Sequence, residues 1–165
     1  MFIRKLEQVD YPAVKAIYQQ GIDTGNATFQ LTAKIWEEWN NSMHSHSRIV
    51  AEESDSILGW AALSPISNRE VYSGIAEVSV YVSALAQGKG IGQKLLAQLV
   101  LESESNNIWM LQAAIFPENQ GSIKLHLNNN FRKLGVREKL GKMNNVWRDV
   151  VLMERRSKTV GVSGN

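Results

Sequence analysis

Alternating apolar and polar residues mark one extended segment near the middle of this 165-residue chain. Positions 75–82, IAEVSVYV, follow a period of two and are rich in β-branched residues, which predicts a β-strand. After position 90 the period changes, and apolar residues recur at helical spacing: Ile91, Leu95, Leu96, Leu99 and Val100. The glycine-rich stretch 87–92, QGKGIG, joins the two. We therefore expect the chemistry of the chain at this strand-to-helix turn.

The first 63 residues alternate between the two periods. We expect, in order, a strand at 2–6, a helix capped by Asp10, a polar loop at 22–31, a helix capped by Thr32, and hairpin strands at 48–53 and 56–63. Phe29 and the nearby tryptophans are typical of a core.

Beyond the central helix, the pattern predicts a strand at 108–116 and a helix that Asn119 caps and that runs to about Asn129. Asn130 can hold a left-handed turn after it. Strands are expected at 131–136 and 146–153. Since hairpins accompany the interleaved strands and helices, we predict an α/β (α+β) fold with a mixed sheet. Residues 1–154 would form one domain, and the polar segment 155–165 a disordered tail.

Composition narrows the function classes. The net charge of +2 does not call for nucleic acid or an anionic membrane, and no run of 18 apolar residues predicts a membrane span. No signal-peptide pattern is visible, so we expect a cytoplasmic protein. Without cysteine, disulfides and thiolate metal sites are excluded. His44 and His46 lack a visible third ligand, and no metal is expected.

Three glycines in five residues weaken packing and cost conformational entropy, so the turn at 87–92 needs a reason. Unpaired amides at a helix start, reachable where no Cβ intervenes, can hold a phosphate. Lys89 and Lys94 would add positive charge. A tight turn without a ligand is the alternative, and the pattern is neither a Walker A loop nor a Rossmann fingerprint.

Gln87, Gly90 and Gly92 match the Q/R-x-x-G-x-G/A signature, and in this respect the chain resembles the GNAT acyltransferases. Three further segments, 77–82, 119–126 and 147–153, resemble the phosphinothricin and methionine sulfoximine acetyltransferase branch, and the likeness runs from about residue 2 to 154. The resemblance implies a GNAT fold: a mixed, mostly antiparallel sheet of about six or seven strands, flanked by about four helices, with splayed central strands that admit the pantetheine arm.

The resemblance also implies acetyl-CoA as the cofactor and a set of residues that contact it. These are Val80, Tyr81, Val82, Gln87, Gly88, Lys89, Gly90, Ile91, Gly92, Gln93, Asn119 and Ser122.

Two residues are candidate catalysts. Glu77 is a carboxylate in an otherwise apolar strand, where partial burial would raise its pKa toward that of a general base. His126 matches the family position that protonates the departing thiolate, and histidine titrates near neutrality. The alternatives are a structural glutamate bonded to an arginine and a solvent-exposed polar helix face.

The acceptor is expected to be the primary amine of a small amino acid or analogue such as phosphinothricin or methionine sulfoximine. Arg69 and Tyr72, in the loop before Glu77, are candidate substrate contacts because arginine holds carboxylates in two-point fashion. Phe116 stands where close relatives often carry a polar residue. With no cysteine to carry the acetyl group, direct attack is expected.

Three other interpretations remain open. The chain could acetylate a polyamine or a protein N-terminus, or it could be a non-catalytic CoA-binding module. A homodimer is one assembly that we consider.

Overall fold

The computed structural model describes residues 1–164, and its centre is one seven-stranded sheet. The strands are β1 (Phe2–Lys5), β2 (Arg48–Glu53), β3 (Ser56–Pro65), β4 (Ile75–Val82), β5 (Met110–Ile115), β6 (Arg132–Met143) and β7 (Val146–Arg156). Their order across the sheet is β1-β2-β3-β4-β5-β7-β6. Among these strands, β4 and β5 pair in parallel and all other neighbours pair antiparallel. The prediction of a mixed, mostly antiparallel sheet is confirmed.

Four α-helices cover the two faces of the sheet. They are α1 (Tyr11–Asp23), α2 (Trp36–Ser42), α3 (Ile91–Ser105) and α4 (Gln120–Leu127). Helices α1 and α2 pack on one face through a cluster that includes Val14, Trp39 and Trp60. Helix α3 packs on the other face, with Leu95, Leu96 and Leu99 fully buried, and side chains of α4 join the same cluster. The helical spacing seen in the sequence therefore marks the buried side of α3.

The central strands part after a short contact. Strand β4 pairs with β5 only from Ile75–Glu77 to Met110–Gln112, and beyond Gln112 the register of β5 continues on β7 alone. The second half of β4 is thus paired on one edge, with β3. The predicted splay of the central strands is confirmed.

Two predicted helix starts need correction. The Asp10 side chain does not cap α1; it accepts hydrogen bonds from the Arg4 guanidinium and from the Glu7 amide, all at 2.8 Å. Helix α2 begins at Trp36 after an extended Ile35, not after Thr32, and has no side-chain cap. In both cases a preferred capping residue lies nearby but serves another contact or none, because tertiary packing outweighs local propensity.

The end of the chain also differs from prediction. Strand β6 continues to Met143 and β7 to Arg156, so the lysine- and glycine-rich connection predicted at 137–145 is mostly strand. Ser157 is buried and donates to Glu104 at 2.9 Å, and the Arg156 guanidinium donates to the carbonyl of Gly161 at 2.6 Å. The segment that follows β7 therefore contacts α3 and the end of β7 itself. Asn165 lies outside the described residues.

Two further observations concern function classes. None of the helices in residues 1–164 combines the length and the apolar character that crossing a bilayer requires. The His44 and His46 rings stack 4.7 Å apart, and His46 bonds to Ser47. Within the described part of the chain, no three or more metal-ligating side chains gather into one group.

Candidate active site

A cleft of about 1260 Å³ opens where β4 and β5 part. Its floor is the second half of β4. Its walls are residues 21–30, which comprise the end of α1 and the loop that follows it, the turn before α3, and helix α4. Thirteen of the sixteen residues predicted for the site line it: Glu77, Val80, Tyr81, Val82, Gln87, Gly88, Gly90, Ile91, Gly92, Gln93, Asn119, Ser122 and His126. The splay thus gathers residues that are far apart in sequence.

The glycine-rich turn forms a backbone cradle at one end of the cleft. Gly88 and Gly90 both have φ of 75°, a left-handed conformation that favours glycine, and Gly90 is the N-cap of α3. The first intrahelical bond runs from the Lys94 amide to the Gly90 carbonyl, so the amides before Lys94 have no partner within the helix. Among residues 1–164, no heavy atom beyond the two adjoining residues lies within 4 Å of a Cβ built at Gly88 or Gly90. The cradle is open and fits an anion.

The free edge of β4 forms the floor. The Ser83 amide bonds to Leu58 on β3, and since backbone groups alternate along a strand, those of Val80 and Val82 face the gap. They can pair with the amides of a pantetheine arm. The Tyr81 backbone faces β3 instead, and its ring lines the cleft while stacking on Trp60 at 4.9 Å.

Glu77 lies at the point where the central strands part. It is the last β4 residue in register with β5, and its Oε1 accepts a hydrogen bond of 3.2 Å from the Gln112 side chain. The carboxylate is half-buried and lines the cleft. The salt bridges among residues 1–164 do not include Glu77, so the alternative of a structural glutamate bonded to an arginine finds no support.

His126 is buried at 4% exposure on α4, against the Phe131 ring. Its Nδ1 lies 2.7 Å from the Ser122 carbonyl. Because a carbonyl only accepts, Nδ1 carries the hydrogen, and Nε2 of the neutral ring is an acceptor without a partner. Burial lowers the pKa of His126, against a smaller opposing effect of the Ser122 carbonyl. The predicted solvent-exposed alternative for this helix face does not apply to His126.

Asn119 and Ser122 occupy the first turn of α4. The Asn119 side chain accepts from the Ser122 amide at 3.2 Å, which confirms it as the helix cap, and donates to the Asn26 carbonyl at 3.2 Å. Both ends of this side chain amide are therefore engaged by the protein. Asn119 thus holds the 21–30 segment against α4.

Three predicted site residues do not line the cleft. Lys89 is exposed on the glycine-rich turn. Arg69 and Tyr72 lie in the loop between β3 and β4, where the Arg69 guanidinium stacks over the Tyr72 ring at 5.3 Å. The structure does not bring this pair to Glu77.

At the other end of the cleft, sequence analysis singled out Phe116 but not the two residues that pack on it. Phe29, predicted for the core, is 37% exposed, lines the cleft and packs edge-to-face on Phe116 at 4.9 Å. The Arg148 guanidinium lies 4.1 Å from the centre of the Phe116 ring. Phe29 sits in an irregular loop and Arg148 on a strand, so no periodicity links them; the trio forms only through the tertiary fold.

The splayed parallel pair, the free strand edge and the open helix start are the features that the resemblance to the GNAT acyltransferases implies. The profile of the acetyltransferase (GNAT) family matches residues 3–131, and the chain belongs to that family. It is an acyl-CoA-dependent acetyltransferase, and the recognition made from the sequence is confirmed.

The relatives fall in the expected branch. The phosphinothricin N-acetyltransferase of Alcaligenes faecalis is 30% identical over 93% of this chain and 81% of its own. The L-methionine sulfoximine/L-methionine sulfone acetyltransferase of Pseudomonas aeruginosa strain PAO1 is 26% identical over 92% of each chain.

Solved structures agree in fold. A phosphinothricin acetyltransferase from Sinorhizobium meliloti, crystallised with acetyl-CoA, has a TM-score of 0.88 at 26% identity and covers 99% of this chain and 91% of its own. A ribosomal-protein-alanine N-acetyltransferase from Brucella melitensis has a TM-score of 0.87 at 30% identity and covers 95% of this chain and 100% of its own.

Proposed function

We propose that the enzyme transfers the acetyl group of acetyl-CoA to the primary amine of a small amino acid or analogue of the phosphinothricin or methionine sulfoximine kind. The reaction is a direct attack within a ternary complex. The observation that carries this proposal is Glu77, a carboxylate that lies in the cleft at the parting of β4 and β5 and outside any salt bridge of residues 1–164. The names of the relatives supply the acceptor class.

Each part of the cleft has one task in this reaction. Acetyl-CoA supplies the activated acyl group as a thioester. The amides that open α3, with Gly88 and Gly90, hold phosphate, and the free edge at Val80 and Val82 aligns the arm. Glu77 takes the proton of the attacking amine, directly or through water, as a general base.

His126 is the proposed proton donor to the sulfur. Its Nδ1 is engaged by the Ser122 carbonyl and its Nε2 is buried without a partner among residues 1–164, so delivery through Nε2 requires the surrounding side chains to move. Only the protonated ring can deliver a proton, and burial lowers the pKa of His126. The contribution of His126 to turnover therefore decreases as pH rises. A His126→Phe variant should lose most turnover at the acid end of the profile and least at the alkaline end.

The test of the base is Glu77→Gln. The amide keeps an acceptor oxygen for Gln112 but cannot take a proton, so turnover should fall by about 10² to 10⁴ while acetyl-CoA affinity stays within a few fold. The acidic limb of the rate profile should disappear. Turnover close to that of the parent between pH 6 and 9 would assign Glu77 a structural role.

The kinetic order tests the direct route. With no cysteine to hold the acetyl group, initial-rate plots at several fixed amine concentrations should intersect. Parallel lines together with a trapped acetyl-enzyme would contradict a ternary complex.

Acetylation of a protein N-terminus is the second candidate, because the Brucella melitensis neighbour is named a ribosomal-protein-alanine N-acetyltransferase. A short peptide with a free N-terminal alanine, assayed beside the amino acids by release of CoA thiol, separates the two. Higher kcat/KM for the peptide would favour this second function.

A further inference from the structure

The cofactor end of the cleft, at the turn before α3, offers little positive charge to the phosphates of acetyl-CoA. Of the lysines and arginines in residues 1–164, Lys124 alone lines the cleft, and it is exposed on α4. Lys89 and Lys94 lie close by in the sequence but outside the lining. Phosphates bound at this end therefore depend on neutral hydrogen-bond donors, of which the backbone amides of the cradle are one set. The opposite end, at Phe29 and Phe116, is the acceptor end.

Gln93 brings a side-chain donor to the cradle. It is the third residue of α3 after the Gly90 cap, it is half-buried, and it lines the cleft. Its backbone amide precedes that of Lys94 and so has no partner within the helix. Its side-chain Oε1 accepts a hydrogen bond of 3.0 Å from the Asn129 side chain. The donor Nε2 lies at the other end of the same planar amide and makes no bond to residues 1–164.

Asn129 decides which end of the Gln93 amide is turned toward it. Asn129 follows α4, is 7% exposed and does not line the cleft. Its Nδ2 donates to the Leu125 carbonyl at 2.9 Å and to Gln93 at 3.0 Å. Because a carbonyl only accepts, the bond to Leu125 fixes the position of Nδ2, and Nδ2 can bond only to the oxygen of the Gln93 amide. A Gln93 amide turned the other way would oppose two NH₂ groups.

The bond from Asn129 to Leu125 follows from the way in which α4 ends. The Asn129 backbone amide bonds to the His126 carbonyl at 3.0 Å, and not to the Leu125 carbonyl that the helical pattern would give it. The Asn129 side chain supplies the donor that Leu125 lacks. The end of α4 thus anchors Asn129, and Asn129 orients Gln93 before any ligand binds.

We propose that Gln93 donates a hydrogen bond from Nε2 to a phosphate of acetyl-CoA, and that Asn129 is the positioning residue that keeps this donor turned toward the cleft. Gln93 then contributes its backbone amide and its side chain to the same anion site. A hydrogen bond to a charged group is stronger than one between neutral groups, so a single oriented amide partly offsets the shortage of cations. Neither role depends on which amine is acetylated.

The test is a double-mutant cycle in which calorimetry measures the Kd of acetyl-CoA for the parent, Gln93→Met, Asn129→Leu and the double variant. Gln93→Met keeps an unbranched side chain without the donor and should raise Kd about tenfold or more. Asn129→Leu should raise Kd about three- to tenfold, because binding must then order a free Gln93 side chain. In the Gln93→Met background, Asn129→Leu should change nothing further. Gln98→Met is the control, since Gln98 is a half-buried residue of α3 that bonds to Glu102 outside the cleft.

Nuclear magnetic resonance of the ¹⁵N-labelled parent tests both roles without relying on the fold of Asn129→Leu. The Gln93 side-chain amide signals, identified by their absence in Gln93→Met, should shift downfield when CoA is added. Both Asn129 side-chain hydrogens are bonded, so without ligand they should exchange with solvent more slowly than those of the exposed Asn128.

Three results would overturn the proposal. Parental affinity in Gln93→Met, or Gln93 signals that CoA does not move, would remove Gln93 from the phosphate site. Equal weakening by Asn129→Leu with and without Gln93 would mean that Asn129 acts on the fold of α4 and not through the amide. No acceptor amine is present in these measurements, so their outcome is independent of the proposed function.

Discussion

Single residues set what the cleft can bind. Gly88 and Gly90 have positive φ, and the space where a Cβ would lie is open. Close packing therefore does not explain why glycine stands at these positions, whereas the backbone conformation and access for a ligand do. Gly92 differs, because a Cβ there would make an ordinary van der Waals contact with Leu125 at 3.4 Å, so the site has room for a small side chain. Of these glycines, Gly90 bears most directly on the cofactor.

Replacing Gly90 with valine should weaken acetyl-CoA binding by about tenfold or more. A β-branched residue resists φ of 75°, and its side chain would occupy the space over the first amides of α3. Isothermal titration with acetyl-CoA measures the effect, and a cooperative thermal melt shows that the fold survives.

The control is Gly135→Val on β6, where an added Cβ also meets open space but lies away from the cleft. It should leave acetyl-CoA affinity unchanged. Parental affinity in Gly90→Val would mean that the phosphates bind elsewhere.

Histidine burial makes stability depend on pH. Burial lowers the pKa of His126, and it is the largest cause of the lowered pKa of His44 and His46 as well. Below about 6.5, the ordinary value, the unfolded chain therefore binds more protons than the folded chain. The free energy of unfolding should fall as pH decreases from about 6.5 and level off below the folded pKa values.

Substitution of His126 measures how much this residue contributes to the pH dependence of stability. The free energy of unfolding of His126→Asn, measured with denaturant between pH 7.5 and 5, should depend less steeply on pH than that of the parent. The difference in slope should correspond to at most one bound proton. Asn128→Ala, on the same turn, should keep the parental slope. An identical slope in His126→Asn would show that His126 is protonated equally in both states.

At the scale of the secondary-structure element, the C-terminus of α4 shows how specific residues end a helix. The Phe131 amide bonds to the His126 carbonyl at 3.1 Å and the Asn130 amide to the Leu127 carbonyl at 3.1 Å, which is a Schellman motif. Asn130 holds the left-handed position with φ of 64°. The turn predicted from Asn130 is confirmed.

Asn130→Ala should destabilise the protein by about 1 kcal/mol, because alanine tolerates the left-handed region less well than asparagine. Asn130→Gly should be neutral or stabilising by a few tenths. Chemical denaturation measures both. Asn128, with φ of −66°, is the matched site where alanine should cost little; equal effects at both positions would argue against backbone strain.

Sequence patterns predicted an element most accurately where one of its faces is apolar and the other polar. Helix α3 buries one side, and β4 directs its alternate residues Ala76, Val78, Val80 and Val82 to one core, so period and bounds agreed with the structure within about a residue. Strand β6 is exposed along most of its length, and Lys139 has φ of 47° within it, so no alternation revealed its second half. The cofactor side of the site could be predicted because its residues belong to one local motif. The acceptor side could not, because Phe29, Phe116 and Arg148 come together only in the tertiary fold.

At the scale of the whole molecule, one side chain, that of Arg148, connects distant segments at the acceptor end of the cleft. Arg148 on β7 bonds to Gly25 and Asn26 in the loop after α1 and to Glu118 in the turn before α4, and it stacks on Phe116. The contacts of this one side chain thus join three segments that lie up to 123 positions apart in the sequence. Losing it would leave the sheet intact but release the wall of the cleft.

Arg148→Met removes the hydrogen bonds and the charge while keeping an unbranched side chain against Phe116. Segment 21–30 should then move more freely, and KM for the amine should rise about tenfold, since small misplacements of a bound reactant are costly. Acetyl-CoA affinity should change little, because the cradle at α3 does not contact Arg148. Steady-state kinetics and hydrogen exchange of residues 21–30 measure the two effects.

Arg132→Met is the matched control. Arg132 also pairs with a carboxylate, Glu154, across the β6–β7 ladder, but its side chain is 73% exposed, so its loss should cost little in stability or activity. If Arg148→Met shows parental KM and parental exchange at 21–30, the loop is held by its own contacts, such as the bond from Asn119 to Asn26. If KM rises without faster exchange, Arg148 acts through the Phe116 ring and not through the loop.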